Sequence, residues 1–210
     1  MGEIRKTLEL VRKRLNEYVS NATRRAEDWV LLTNPTDAEG RPYEATTNRV
    51  VMVLANLKRE NLISTYQPAV PIAGDRFAVV PPPLYIDLYL LFWANFTEKN
   101  YPEGLELIAY TITFFQQNPV FTHETLPGLD PSIDKLTFEF TNLDLTELNY
   151  LLGLFGAKYL PSVYYKVRLI PFVSDAIQRE TSAVQGVHAP GELEDLPAPP
   201  AFGARSEAGP

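Results

Sequence analysis

Apolar and polar positions alternate most clearly between Leu84 and Ala94, directly after the triple proline Pro81-Pro82-Pro83. Three prolines fix φ, remove backbone donors and force an extended lead-in, so a strand starting at a defined place is predicted here. The even positions Leu84, Ile86, Leu88, Leu90 and Phe92 are all apolar. The odd ones, Tyr85, Asp87, Tyr89 and Trp93, are aromatic or charged, with Leu91 the exception. Period-two alternation sends these two sets to opposite faces. The even set is expected to build a core and the odd set to offer large amphipathic groups for a surface or an interface.

Other segments fall into place around this strand. Ile4, Leu8, Val11, Leu15 and Val19 recur at helical spacing, which predicts an amphipathic helix over residues 4–22. A short strand is expected at 29–33, then a turn-rich loop at 34–42. Residues 50–57 are apolar on both faces, the pattern of a central strand covered on both sides. The stretch 59–83 has no hydrophobic period and reads as an irregular connection. A second helix is bracketed by Pro102 and Pro119, with Leu105, Ile108, Ile112 and Phe115 as its apolar stripe, widened by Leu107 and Phe114. An alternating strand follows at 136–141, then a short helix at 146–155 that ends at Gly156. The last strand is 163–173, with Val163, Tyr165, Val167 and Leu169 facing one way and Tyr164, Lys166 and Arg168 the other. The expected fold is α+β: a mixed, largely antiparallel sheet of about five strands with helices packed on it. If the alternating strands share that sheet, Asp87 and Glu139 lie on the same face as Lys166 and Arg168.

From about Val184 the composition turns proline-rich and acidic, which divides the chain into a globular domain at 1–175 and a C-terminal tail at 176–210. The net charge of −7 argues against non-specific nucleic-acid binding. The charge is uneven: residues 1–25 hold seven basic groups against three acidic ones, and residues 174–210 hold two against six. Opposite-signed ends suit a chain that packs against copies of itself. The chain has no cysteine, which excludes disulfide and thiolate chemistry and favours a reducing origin. Its charged opening is unlike a signal peptide, and no uncharged run reaches the ~20 residues that span a bilayer.

Candidate chemistry is sparse. His123 and His188 are the only histidines, and no nucleophile elbow accompanies them. His123, Glu124, Asp130 and Asp134 match no recognised metal-ligand spacing, and solvated loop carboxylates are the simpler account. Neither a P-loop nor a dinucleotide fingerprint is present, so no catalytic, cofactor or metal site is assigned.

Taken in order, several segments form a pattern: the N-terminal helix, Asn34-Pro35, the Val-rich strand with Ala55-Asn56-Leu57-Lys58-Arg59-Glu60-Asn61, and Pro-Pro-Pro-Leu-Tyr-Ile-Asp-Leu-Tyr-Leu-Leu-Phe. Leu107 to Pro119-Val120-Phe121-Thr122, Leu145 to Leu148, and Pro161-Ser162-Val163-Tyr164-Tyr165-Lys166-Val167 complete it. This order resembles the tail-terminator (cap) family of phage-tail-like extracellular contractile injection systems of the antifeeding-prophage type, over roughly residues 4–173. The resemblance implies a homo-hexameric ring on the end of the inner tube distal to the baseplate, in contact with the tube protein and the last sheath layer. It implies no enzyme activity, nucleic acid or membrane insertion, and assembly in the bacterial cytoplasm before the particle is complete. Interface residues are not encoded in these motifs. From the sequence alone, the ring contact is expected at Tyr85, Asp87, Tyr89, Lys166 and Arg168, and the tube contact at loops 34–48 and 59–80. Two alternatives stay open: a baseplate or adaptor component of the same kind of particle, and a small hydrolase or binding protein with a pocket at His123.

Overall fold

The computed structural model describes residues 3–37, 41, 43–60, 69–71, 76–79, 84–156, 159–172 and 179–182. The amphipathic N-terminal segment is helix α1 (Glu3–Thr23), whose Leu8, Val11, Leu15 and Val19 are buried as their spacing predicts. Strand β1 (Val30–Leu32) follows, then a single 3-10 turn at Glu44–Thr46 and the long strand β2 (Arg49–Arg59). Two short strands, β3 (Ala69–Pro71) and β4 (Arg76–Val79), lie in the stretch that reads as irregular. Strands of three and four residues are too short to show a period. Strand β5 (Leu84–Asn95) begins directly after the three prolines, which themselves lie outside the described residues.

Helix α2 (Tyr101–Gln117) has its proline in the first turn. It is followed by β6 (Val120–Phe121), β7 (Leu136–Phe140), α3 (Leu145–Leu154), β8 (Ser162–Phe172) and β9 (Arg179–Ser182). Asp144 caps α3 through a reciprocal pair of hydrogen bonds with Glu147, and Gly156, at φ 61°, closes its C-terminal end in the left-handed region.

Six strands form one mixed sheet in the order β1-β2-β5-β8-β7-β6, in which β1 and β2 are parallel and the other pairs antiparallel. This is the mixed, largely antiparallel α+β sheet expected, with one strand more than the sequence shows. Strands β3, β4 and β9 form a second, three-stranded sheet, and β9 falls within the segment that reads as tail.

The central strands of the six-stranded sheet are buried on both sides. On its first face α1 and α2 cover Val50 and Met52 of β2, Leu88, Leu90, Phe92 and Ala94 of β5, and Val163, Tyr165 and Val167 of β8. On its second face Leu148, Leu151, Leu152 and Phe155 of the α3 segment cover Val51, Val53, Leu91, Trp93 and Tyr164. The odd positions of β5 are therefore not all open: α3 buries Leu91 and Trp93, which explains why Leu91 breaks the alternation.

Helix α2 is also rotated relative to its predicted stripe. Leu107, Ile108, Thr111, Phe114 and Phe115 are buried with Gly104, whereas Leu105 and Ile112 are 45% and 37% exposed. Gly104 explains the rotation, because a Cβ there would come within 2.9 Å of the Phe96 ring. At its first turn the helix lies closer to the Phe96 ring than a side chain at position 104 would allow. A β-bulge in β8 between the pairs Ile86↔Ile170 and Leu88↔Val167 shifts the core side by one residue, so that Ile170 continues the first-face core after Val167.

Phe115 anchors this core. Its ring stacks on Phe138 at 4.5 Å and lies 4.7 Å from Tyr165 and 5.3 Å from Phe92. Truncation removes several ring contacts at once, so Phe115→Ala is expected to lose about 3–5 kcal/mol of unfolding free energy in a urea titration. A loss under about 1 kcal/mol would contradict this packing.

Candidate assembly face

The five residues expected at a ring contact converge on the second face of the sheet, beyond the part covered by α3. Tyr85, Asp87 and Tyr89 alternate onto it from β5, and Lys166 and Arg168 join them from β8, beside Glu139 of β7 and Glu60 just past the end of β2. Lys166 Nζ lies 2.8 Å from Asp87 Oδ2 and 3.8 Å from Glu60 Oε2. Arg168 donates to Glu60 and to Glu139, each at 3.1 Å. The backbone register sets Glu139 opposite Lys166, but the charges pair along the diagonal, Glu139 with Arg168 and Asp87 with Lys166. The bulge in β8 accounts for this arrangement: Arg168 and Leu169 together stand opposite the single residue Asp87.

Burial sets the role of each group. Asp87 is 2% exposed, so its carboxylate orients Lys166 and does not itself reach a surface. Among the described residues, Oδ1 of Asp87 and Nε of Arg168 are buried without a hydrogen-bond partner, a cost that most buried polar groups avoid. Burial lowers the Lys166 and Arg168 pKa values, and the hydrogen bonds and charges of their carboxylate partners more than reverse this, so both end above their ordinary values. Tyr85 is half-buried, and its carbonyl accepts the Glu60 N–H at 2.9 Å. Tyr89 stacks on Tyr164 at 5.8 Å, and the Lys58 ammonium sits 5.0 Å over the Tyr89 ring.

Lys58 and Glu60 are the members that sequence reasoning missed. They follow the bulge between Leu54 and Asn56, which shifts the alternation of β2 and is not marked by any glycine.

The remaining candidates lie apart from this face. His123, Glu124 and Asp134 are exposed, and Asp130 accepts hydrogen bonds from the Ser132 N–H and hydroxyl, which hold its carboxyl below the usual range. Among the described residues no group of three or more such side chains is placed to hold a metal. A cavity of about 180 Å³ beside α3 is lined by Leu91, Phe140, Leu143, Leu148 and Tyr164 among others, and His123 is not part of it. Among the described residues no helix is long and apolar enough to cross a membrane. Residues 38–40, 42, 61–68, 72–75 and 80–83 of the two expected tube loops and their surroundings, His188, and most of the 176–210 tail lie outside the described residues.

Comparison with known proteins places this architecture. Residues 6–186 match the family described as the Pvc16 N-terminal domain. The chain belongs to the Pvc16 N-terminal domain family.

No curated protein matches this sequence. One solved structure shares the fold of this family member, and a second aligns with it less closely. One is the cap of the anti-feeding prophage (AFP tube terminating cap), with a TM-score of 0.52 at 13% identity over 84% of this chain and 58% of that one. The other is the sheath/tube terminator of an extracellular contractile injection system, PVC, in its extended state. It aligns with a TM-score of 0.49 at 13% identity over 88% of this chain and 64% of that one. The chain therefore spans less than two thirds of the length of either structure.

Two predictions follow from how the sheet buries its tyrosines and pairs its charges. Burial raises Tyr165 to about 12, and burial together with Tyr89 and Glu147 raises Tyr164 to about 12, from an ordinary value of 10.0. A folded-state pKa above the unfolded value gives stability that is complete below the unfolded pKa and lost as pH rises through the folded one. Unfolding free energy is therefore expected to be flat from neutral pH to pH 10 and to fall between pH 10 and 12, where the raised Lys166 acts in the same direction. Urea titrations at stepped pH check this, and a flat profile to pH 12 would contradict it. In double-mutant cycles, Glu139 and Arg168 are expected to couple by about 0.2–1 kcal/mol, and Glu139 and Lys166 by less. The reverse order would rule out the diagonal pairing.

Proposed function

We propose that the chain is a structural cap of a contractile injection system. It closes into a hexameric ring on the end of the inner tube distal to the baseplate, ends tube polymerisation and anchors the last sheath layer. The observation that carries this reading is the family match over residues 6–186, and the fold shared with the tube terminating cap of the anti-feeding prophage supports it.

A ring built head to tail needs two unlike surfaces on each subunit. This chain offers a two-helix layer on one side of its sheet and, on the other, the polar-aromatic strip around Lys166 and Arg168. Tyr85, Tyr89, Lys166 and Arg168 form the lateral contact in this reading, with Asp87 holding Lys166 from behind. Loops 34–48 and 59–80 face the tube. Tube and sheath proteins are the partners, and no step requires a reaction, a cofactor, nucleic acid or membrane insertion. The protein assembles in the bacterial cytoplasm and then remains part of the extracellular particle.

Negative-stain electron microscopy of the purified protein with its cognate tube protein tests the reading. Six-fold rings seated on one end of short tubes are expected. Ringless protein that ignores tube ends, or that co-purifies with the baseplate end of the particle, would overturn it in favour of a baseplate or adaptor component.

A further inference from the structure

The two sides of the sheet carry opposite surfaces. Residues 136–156, which include β7 and α3, hold three carboxylates (Glu139, Asp144 and Glu147) and no Lys, Arg or His. Glu139 is matched by Arg168, whereas Asp144 and Glu147 stand exposed at the start of α3. The same helix leaves Leu145 and Leu154 each 83% exposed and Tyr150 70% exposed. Large apolar side chains concentrated on one short solvent-facing helix mark an interaction surface.

Helix α1, on the far side of the sheet, is the reverse. Among the described residues it has no exposed large hydrophobic side chain, Arg5 and Lys13 stand exposed outside any salt bridge, Lys6 is exposed within the electrostatic reach of Asp130, and the exposed Glu17 is matched by Arg14.

We infer that the outer face of α3 in one copy docks on the outer face of α1 in the next copy. This rests on the ring reading above and supplies the counter-surface that the reading leaves unnamed. Charge complementarity selects a second copy as the occupant. Pairing α1 with α1 sets a helix of five basic and three acidic residues against another of the same net positive charge, and pairing α3 with α3 sets carboxylates against carboxylates. Only the mixed pairing joins surfaces of opposite net charge. The sheet lies between the two helices, so they cannot meet within one subunit.

The apolar part is matched as well, because Lys and Arg lay their aliphatic stems along apolar surface while the charged heads reach its polar rim. A cation over Tyr150 would repeat a contact already made within the subunit, where the Arg25 guanidinium lies 4.6 Å over the Trp29 ring. The inner side of α3 packs on Tyr89 and Tyr164, so the helix borders the polar-aromatic strip on the same side of the sheet.

The absence of cysteine makes the test direct. Glu17→Cys on α1 and Asn149→Cys on α3 change two exposed positions. Each variant of the full chain is treated with a short bismaleimide, alone and as an equal mixture, while mass photometry and electron microscopy follow assembly without crosslinker. The expected result is a crosslinked dimer in the mixture only, lost when Leu154→Asp is added, with Leu154→Asp also reducing the assembled fraction at least tenfold. A band from either variant alone would overturn the inference, because it requires like-on-like pairing. Rings that form without a crosslink in the mixture overturn it and leave the ring reading standing, since another surface, such as one for the tube, then carries α3. A crosslink in the mixture from assemblies that never close into rings upholds the inference and defeats the ring reading. Neither multimer nor crosslink defeats both.

Discussion

A strand that is apolar on both sides cannot rest against water on either, and three neighbouring strands of this protein are of that kind. Val50 to Val53 of β2, Leu90 to Trp93 of β5 and Val163 to Tyr165 of β8 send side chains alternately into two separate cores. Each large side chain withdrawn from water contributes about 1.5–3 kcal/mol, so both faces require a cover. The first receives α1 and α2. Among the described residues the second receives the ten-residue α3 with Leu143, Phe155 and Leu160 beside it, and these cover part of the face. Most other features depend on that shortfall. Where α3 reaches, the second face is apolar; where it does not, the sheet turns to tyrosines and a charge cluster.

That cluster has a structural cost that its place in the sheet explains. Replacing buried ion pairs by apolar groups is often neutral or stabilising, so Asp87, Glu60, Lys166 and Arg168 are weak evidence for stability. They stand where β2, β5 and β8 leave the six-stranded sheet towards the segments that carry β3, β4 and β9. Ion pairs that join residues on three strands and the end of a fourth fix their register at this exit, and they leave the two cations partly exposed at the margin of the face.

Much of this was legible in the sequence because period and composition agreed. The α1 stripe, the two-sided β2, the proline-bounded start of β5 and the shared face of Asp87, Glu139, Lys166 and Arg168 all follow from spacing. What escaped was set by contacts rather than by period. The rotation of α2 depends on the approach of Gly104 to Phe96, and the burial of Leu91 and Trp93 depends on a helix some fifty residues downstream in the chain. Two bulges change which residues share a face, and neither is marked by glycine. Strands β3 and β4 are too short to alternate visibly. In the candidate face, Lys58 and Glu60 were hidden for the same reason: they lie past a bulge.

The chain belongs to the Pvc16 N-terminal domain family, and under the proposed ring reading a subunit with two unlike sides has a use. A sheet with a basic helix on one side and an apolar, acidic helix on the other is suited to head-to-tail contact with its own copies. The most direct measurement is a cryo-electron microscopy reconstruction of the intact particle that contains this protein, resolved at both ends. The account predicts six copies closing the tube at the end away from the baseplate, with the second sheet face of each copy against the helical layer of its neighbour. Density for the chain at the baseplate end, or copies that meet through like faces, would contradict it.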